Sequence, residues 1–268
     1  MTKMKLFIGA TLVVALVVLG VGQSKLQEPS IAASNDVMAP HFLVDPFWPK
    51  PLPNHWAMGN TIGVDVDERD HIFIVHRNDA SQFGGNTEIG LQGGVAECCT
   101  PAPPIIEIDI EGNIINAWGG PVEGAPYTWP ASNHGIEIAP NGDVWIGGNG
   151  SGDSHVLVFT RDGEYIRTIG MQGEDRDSNS QTHYGRVAEI AIDVEANEAY
   201  FADGYQNKRV AVVDVSTGAF KRYWGAYGNR PADTSDVKYT LGQPGPPHFR
   251  GPVQSALPSH HGLFSVLD

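Results

Sequence analysis

Three short phrases carry the side chains best suited to chemistry: His76-Arg77, His134-Gly135-Ile136 and Asp203-Gly204-Tyr205, with a later echo in His260-His261-Gly262-Leu263. An imidazole can ligate a metal at ~2.0–2.1 Å. A guanidinium grips a carboxylate or an oxyanion through two parallel hydrogen bonds. A phenol, with an ordinary pKa of ~10, becomes a base where cationic neighbours favour phenolate. Each residue also has a plainer reading. His134 could be a loop histidine or one hydrogen-bonded within a channel mouth, Tyr205 an aromatic packed beside Asn207 or Arg209, and Arg77 the partner of Asp79. His71, His155 and His183 read as surface or turn histidines. The adjacent Cys98 and Cys99 could form a vicinal disulfide or remain a reduced pair in a proline-rich connection, and neither state implies catalysis. HExxH, GxSxG and Walker A patterns are absent. The glycine-rich run 147–152 falls among strands rather than between a strand and a helix, so no phosphate cradle is expected there.

The elements that position these phrases form a repeat. Gly63-Val64-Asp65-Val66, Gly135-Ile136-Glu137-Ile138 and Glu189-Ile190-Ala191-Ile192 each read as a short strand. Each is followed by a turn and a second strand, beginning near His71, Asp143 and Glu198. A second hairpin follows each first one, turning at Glu111-Gly112, Asp162-Gly163 and Thr217-Gly218. These second hairpins end at Trp118, Ile169 and Trp224, spaced 51 and 55 apart. Four antiparallel strands per roughly 50 residues read as a propeller blade, because one small sheet buries both faces only by stacking between neighbours. The fold class is therefore all-β, with antiparallel sheet expected almost throughout 55–225 and Val64, Ile136 and Ile190 on innermost strands. A β-sandwich is the rival. Blades end near 120, 170 and 225.

Composition agrees. The 268 residues hold Gly 32 and Pro 19, and 41% of them are hydrophobic, enough for a real core with many turns. The net charge of −14 argues against a nucleic-acid surface and against anionic lipid. Lys3 and Lys5 precede an apolar run from Leu6 to Gly22, which reads as a secretory signal over 1–22, with an uncleaved anchor as the alternative. A lead-in follows over 23–54 and the propeller over 55–268. The chain is thus expected to be exported, to the periplasm or outside the cell, with no membrane contact after signal cleavage.

The phrases 133–145 and 202–210 resemble NHL repeats. More narrowly, the ordered set His76-Arg77, His134-Gly135 and Asp203-Gly204-Tyr205 resembles the peptidyl-α-hydroxyglycine α-amidating lyase branch of that superfamily, over about 44–213. The resemblance implies a six-bladed propeller with zinc in its central channel. It implies His134 as a zinc ligand, with His261, or His260 if the register slips, as a second. It further implies Tyr205 as a catalytic base, Arg77 at the site holding a small-molecule or peptide substrate by its anionic end, and structural calcium on the carbonyls of Val64 and Ile136. The expected reaction cleaves a carbinolamide to an amide and glyoxylate. A non-catalytic NHL propeller binding a peptide, protein or glycan is the alternative. The family's cysteine after the tyrosine is Gln206 here. Three full blades are expected, the chain being either a fragment or one with an altered tail. Prolines at 231, 244, 246, 247, 252 and 258 leave only 262–267 strand-like beyond residue 226, with the far face of the third blade exposed.

Overall fold

The structure is a computed structural model that describes residues 42–79, 98–173, 177–233, 240–249, 253, 255–258 and 264–267. The backbone divides into two units, Met1–Pro46 and Phe47–Asp268. Of the first unit, 42–46 are described, as exposed irregular chain. The proposed signal over 1–22 lies outside the described residues. No helix among the described residues is long and apolar enough to cross a membrane.

The second unit is built from strands, with two single-turn 3₁₀ segments at Pro53–His55 and Ala226–Gly228. In chain order the strands are β1 (Trp56–Ala57), β2 (Thr61–Val66), β3 (Ile72–His76), β4 (Thr100–Pro101), β5 (Ile105–Ile108), β6 (Ile114–Trp118), β7 (Asn133–Ile138) and β8 (Val144–Gly148). They continue as β9 (His155–Phe159), β10 (Tyr165–Gly170), β11 (Val187–Asp193), β12 (Glu198–Asp203), β13 (Arg209–Asp214), β14 (Phe220–Trp224), β15 (Ser255–Pro258) and β16 (Phe264–Leu267). Three four-stranded sheets result, β2-β3-β5-β6, β7-β8-β9-β10 and β11-β12-β13-β14. Every ladder within them is antiparallel. The expected all-β, blade-like arrangement is present, and Val64, Ile136 and Ile190 lie on β2, β7 and β11, which pack against one another in sequence order. One pairing departs from the antiparallel rule: β1 runs parallel to β4.

Burial follows from the stacking. β8, β9 and β12 are buried at every residue, because apolar side chains on both faces meet a neighbouring layer. Between the first two sheets lie Phe73, Val75 and Ile105 against Ile136, Val144, Ile146 and Phe159. Between the second and third lie Trp145, Val156 and Ile169 against Ile190, Phe201 and Val213. Each such side chain contributes ~1.5–3 kcal/mol when fully buried. The turns interlock as well. Gly163, at φ +85, sits where a Cβ would fall 2.8 Å from Trp118 of the preceding sheet. Gly218, at φ +74, repeats this against Ile169. The apolar residue at the end of each second hairpin is thus the seat for the next sheet's turn.

The two outer flanks are covered by chain that is not part of a blade. Trp48, Leu52, Trp56 and Met58 pack on Ile74, Ile106 and Ile108 of the first sheet. Val253 and Phe249 pack on Tyr200, Val210 and Val212 of the third. The expectation of an exposed far face on the third sheet is therefore corrected. Phe249 and Val253 of the tail cover that face without joining its ladder. A strand also forms at β15, which the prolines argued against. Pro258 is its last residue, opposite Phe264, where a missing N–H costs a two-stranded ladder little. β15 and β16 form a two-stranded sheet, so no four-stranded blade follows residue 226 among the described residues. Cys98 and Cys99 are joined as a vicinal disulfide just before β4.

The innermost strands approach closely at glycine. A Cβ on Gly63 would lie 2.9 Å from the carbonyl oxygen of His134, and one on Gly135 would lie 2.9 Å from that of Ala188. Neither contact can yield without moving backbone. Gly135→Ala is expected to lower stability by about 1–3 kcal/mol through overpacking. Gly142→Asn, at an exposed turn with φ +88 and no atoms within 4 Å, should change it by less than about 0.5 kcal/mol. Urea unfolding of both variants checks this, and equal effects would show that the strand approach is not limiting.

Candidate functional site

The first strand of each sheet carries an irregularity near its start. On β7, Asn133 lies opposite Gly148 and Ile136 opposite Ile146, so one extra residue is accommodated where His134 and Gly135 stand. β2 does the same between Thr61 and Gly63, and β11 between Val187 and Glu189. A bulge re-aims the side chain it carries. At His134 it allows the ring to reach across to the third sheet. Nδ1–H donates to the Ala188 carbonyl at 2.9 Å, which leaves Nε2 as the lone-pair nitrogen. The Tyr205 hydroxyl donates to that nitrogen at 2.8 Å, with the two rings edge to face and centroids 5.0 Å apart.

Tyr205 is delivered by a tightly specified turn after β12. Asp203 is fully buried and accepts from the Gly185 N–H, from the Asn207 amide at 3.0 Å and from the Arg209 guanidinium at 2.6 Å. Gly204 lies directly beneath the Val253 backbone, which leaves no space for a Cβ. Tyr205 itself is 38% exposed, so its oxygen faces both His134 and solvent. Asn207 and Arg209 therefore serve Asp203, whereas Tyr205 turns to His134.

Arg77 follows directly on β3. Nη2 donates to Asn149 Oδ1 at 3.0 Å and Nε to the Asn133 carbonyl at 3.4 Å, and the residue is buried. Asn133 is pinned in turn, donating to the His76 carbonyl at 2.8 Å and accepting from Trp129 Nε1 at 2.8 Å. Burial weakens the guanidinium's hold on its proton, and the neighbouring Tyr205 oxygen opposes this. The His134 pKa is lowered by burial, raised by its bond to Ala188 and lowered further by the Arg77 charge. Arg77, His134 and Tyr205 therefore sense one another, although 71 residues separate the two that touch.

A second set of groups lines the same innermost strands. Asp65 Oδ2 accepts from the Ile138 N–H at 2.6 Å, and Glu137 Oε1 accepts from the Ile192 N–H at 3.1 Å. Each acid thus reaches the next sheet's innermost strand at the equivalent position, where that strand has no ladder partner. The corresponding residue of β11 is Ala191. Burial, with Asp65 and Glu189 nearby, pushes Glu137 up to about 8.

Among the described residues no three His, Cys, Asp or Glu side chains converge to hold a metal. His260 and His261, expected as zinc ligands, lie outside the described residues. Val64 and Ile136, expected as calcium ligands through their carbonyls, stand on adjacent innermost strands, next to acids already engaged with backbone N–H groups. The described donor set thus brings one imidazole toward zinc and no assembled oxygen cage toward calcium, so it does not by itself fit either ion. One of the three histidines read as surface or turn residues is placed otherwise: His155 is 1% exposed within β9, whereas His71 closes the turn after β2 and lies 2.7 Å from Glu107. The apolar run that follows His155 marks a central strand, and this was the signal available for its burial.

No protein-family model matches the chain. A probable peptidyl-alpha-hydroxyglycine alpha-amidating lyase of Caenorhabditis elegans is 26% identical over 165 residues, 59% of this chain and 42% of the relative. The chain therefore spans less than half the length of that relative. Similar solved structures include a protein of unknown function from Bacteroides caccae, with TM-score 0.41, 10% identity, and coverage of 78% of this chain and 70% of that one. They also include a catalytically inactive virginiamycin B lyase of Staphylococcus aureus with quinupristin, with TM-score 0.37, 15% identity, and coverage of 67% and 45%. The similarity is to a lyase in sequence, over an all-β chain of four-stranded antiparallel sheets.

Glu137 offers a test of the electrostatics between the first strands of adjacent sheets. Its folded pKa lies above the unfolded 4.5, so the folded state binds the extra proton between 4.5 and about 8. Stability from this group is full below 4.5 and is lost as pH rises through 8. Glu137→Gln keeps an acceptor for the Ile192 N–H and should remove that loss, gaining about 1–3 kcal/mol at pH 9 and little at pH 4. Urea unfolding at the two pH values reads the difference, and a gain that does not depend on pH would contradict the burial of the acid.

Proposed function

We propose that this chain is an exported lyase-like NHL propeller of the six-bladed type. It cleaves a peptidyl-α-hydroxyglycine-type carbinolamide to an amide and glyoxylate. The observation that carries the reading is the 2.8 Å contact between Tyr205 Oη and His134 Nε2, with Arg77 buried beside them. Its support in sequence is the similarity to the amidating lyase of Caenorhabditis elegans.

The residues divide the work by their chemistry. Arg77, held by the Asn133 carbonyl and Asn149, supplies the positive charge that attracts the carboxylate of the hydroxyglycine end. Tyr205 takes the proton of the carbinol hydroxyl while its own passes to His134 Nε2, which the Ala188 carbonyl keeps as the basic nitrogen. The carbinol C–O then closes to a carbonyl and the C–N bond breaks. The proton returns to the departing amide nitrogen. Glyoxylate and the amide leave, with no atom unaccounted for. Zinc at His134 with His261 or His260, and calcium at Val64 and Ile136, belong to the proposal through the family resemblance; zinc would compete with the Tyr205 proton for Nε2, so the relay above belongs to the metal-free protein. No step is routed through either ion.

The experiment measures glyoxylate release from a hydroxyglycine-terminated peptide, beside elemental analysis of the purified protein. Tyr205→Phe should lower kcat by roughly 10²–10⁴ with KM little changed, as expected for loss of a general base. Arg77→Ala should act mainly on KM. Stoichiometric zinc that His134→Ala abolishes supports the metal part. Absence of glyoxylate from the wild-type protein, with and without added zinc, overturns the lyase reading and leaves a propeller that binds at its mouth.

A further inference from the structure

Arg186 stands just before β11 with a backbone φ of +66. That left-handed region is uncommon for residues other than glycine, and Asn, Asp and His visit it most often. Of the non-glycine residues found there among the described residues, Asn54, His55, Asp70 and Asn197 are of those types. Cys99, Arg186 and Tyr227 are not. Cys99 belongs to the vicinal disulfide, and Tyr227 lies exposed in a single 3₁₀ turn. Arg186 has no such local reason. A strained backbone persists where surrounding contacts over-determine it, and such residues cluster at functional sites.

The contacts around Arg186 lead to the Tyr205–His134 pair from both sides. With the Gln206 amide oriented to satisfy both groups, its Oε1 accepts from Arg186 Nη2 at 2.9 Å and from Nε at 3.0 Å. Gln206 is the residue next to Tyr205, and its N–H donates to the Gly185 carbonyl at 2.8 Å. The Gly185 N–H donates in turn to Asp203. Gly185 also packs against the Asn207 backbone with no room for a Cβ. Segment 185–186 and turn 203–207 are therefore clamped together. Two residues on, Ala188 is the extra residue of the β11 bulge, and its carbonyl accepts from His134 Nδ1 at 2.9 Å. One short stretch, 185–188, thus holds Tyr205 by way of Gln206 and His134 by way of Ala188. Arg186 is its left-handed residue, and its φ sets how the chain passes from one contact to the other.

We propose that Arg186 is a positioning residue of the site. Its two-pronged bond to Gln206 fixes the turn that carries Tyr205. Its left-handed backbone directs the chain into β11 so that the Ala188 carbonyl meets His134. Arg186 acts through these two neighbours and not by contact with substrate, and its strain is retained for alignment. The catalytic meaning of this role rests on the lyase reading; the placement of the phenol against the imidazole does not.

The test compares Arg186→Gly, Gln206→Ala and Gln206→Glu with Tyr205→Phe in the full chain. The readouts are the nitrogen NMR resonance of His134 Nε2, glyoxylate release from a hydroxyglycine-terminated peptide, and the urea midpoint. Loss of the Tyr205 hydroxyl bond moves the Nε2 resonance, and Tyr205→Phe calibrates that shift. Arg186→Gly and Gln206→Ala should each move it toward the Tyr205→Phe position. Each should lower kcat about tenfold with KM little changed. Gln206→Glu keeps an acceptor for the guanidinium and should stay close to the wild type. Arg186→Gly should not lower the urea midpoint, because glycine adopts this φ without strain, which offsets its greater unfolded-state freedom. A residue that merely supports the fold would lose midpoint and kcat together, and that result overturns the proposal. So does an Nε2 resonance unmoved in both Arg186→Gly and Gln206→Ala. If the wild type releases no glyoxylate, the lyase reading fails, and the Nε2 resonance and the midpoint still decide whether Arg186 places Tyr205.

Discussion

The approach of one innermost strand to the next governs this structure. Glycine at 63 and at 135 lets β2 and β7 bring their backbones against the carbonyls of His134 and Ala188. Those two contacts set the spacing at which Phe73, Ile146, Trp145 and Phe201 fill the layers behind them. The same approach places the Ala188 carbonyl within reach of His134 Nδ1, so the spacing that packs the core also chooses the imidazole tautomer. At the matching position of β11 the residue is Glu189.

Polar groups are handled by the same logic of reaching across to the next sheet. An innermost strand has no ladder partner on its axial side, so its N–H groups need acceptors from elsewhere. Asp65 and Glu137 supply them in register. Farther out, Arg161 of the second sheet's turn joins Asp67 and Glu107 of the first and lies 4.9 Å over the Phe73 ring. A partly buried guanidinium of this kind contributes little net stability, because its desolvation offsets its attraction. Arg209 and Asp203 do the equivalent task within the third sheet, where the guanidinium also binds the carbonyls of Ser178, Ser180 and His183.

The candidate site inherits its geometry from these devices. A bulge at the start of β7 turns His134, a buried carboxylate fixes the turn that carries Tyr205, and an asparagine pair holds Arg77. None of the three side chains is placed by its own element alone. The tail is part of this scaffold, since the Val253 backbone closes on Gly204 and its side chain covers the third sheet's far face. Trp48, Leu52, Trp56 and Met58 on one side, and Phe249 and Val253 on the other, therefore occupy the flanks where a further layer would stack.

What the residues alone determined was periodic. Alternating apolar residues, turns at Asn141-Gly142 and Asp162-Gly163, and the Trp-Gly or Ile-Gly ends specify four-stranded sheets, because strand period and turn chemistry are local properties. Arg77, His134 and Tyr205 were also legible as a set, through their phrases. Their contact was not, because it depends on a bulge and on the approach of separate sheets, which are fixed by packing across 71 residues of chain. The burial of His155 depended on which strand ended up central. Folding of the tail over the third sheet depended on an apolar face that no local rule for proline takes into account. Local sequence chose the strands; the close contacts between sheets decided which side chains meet.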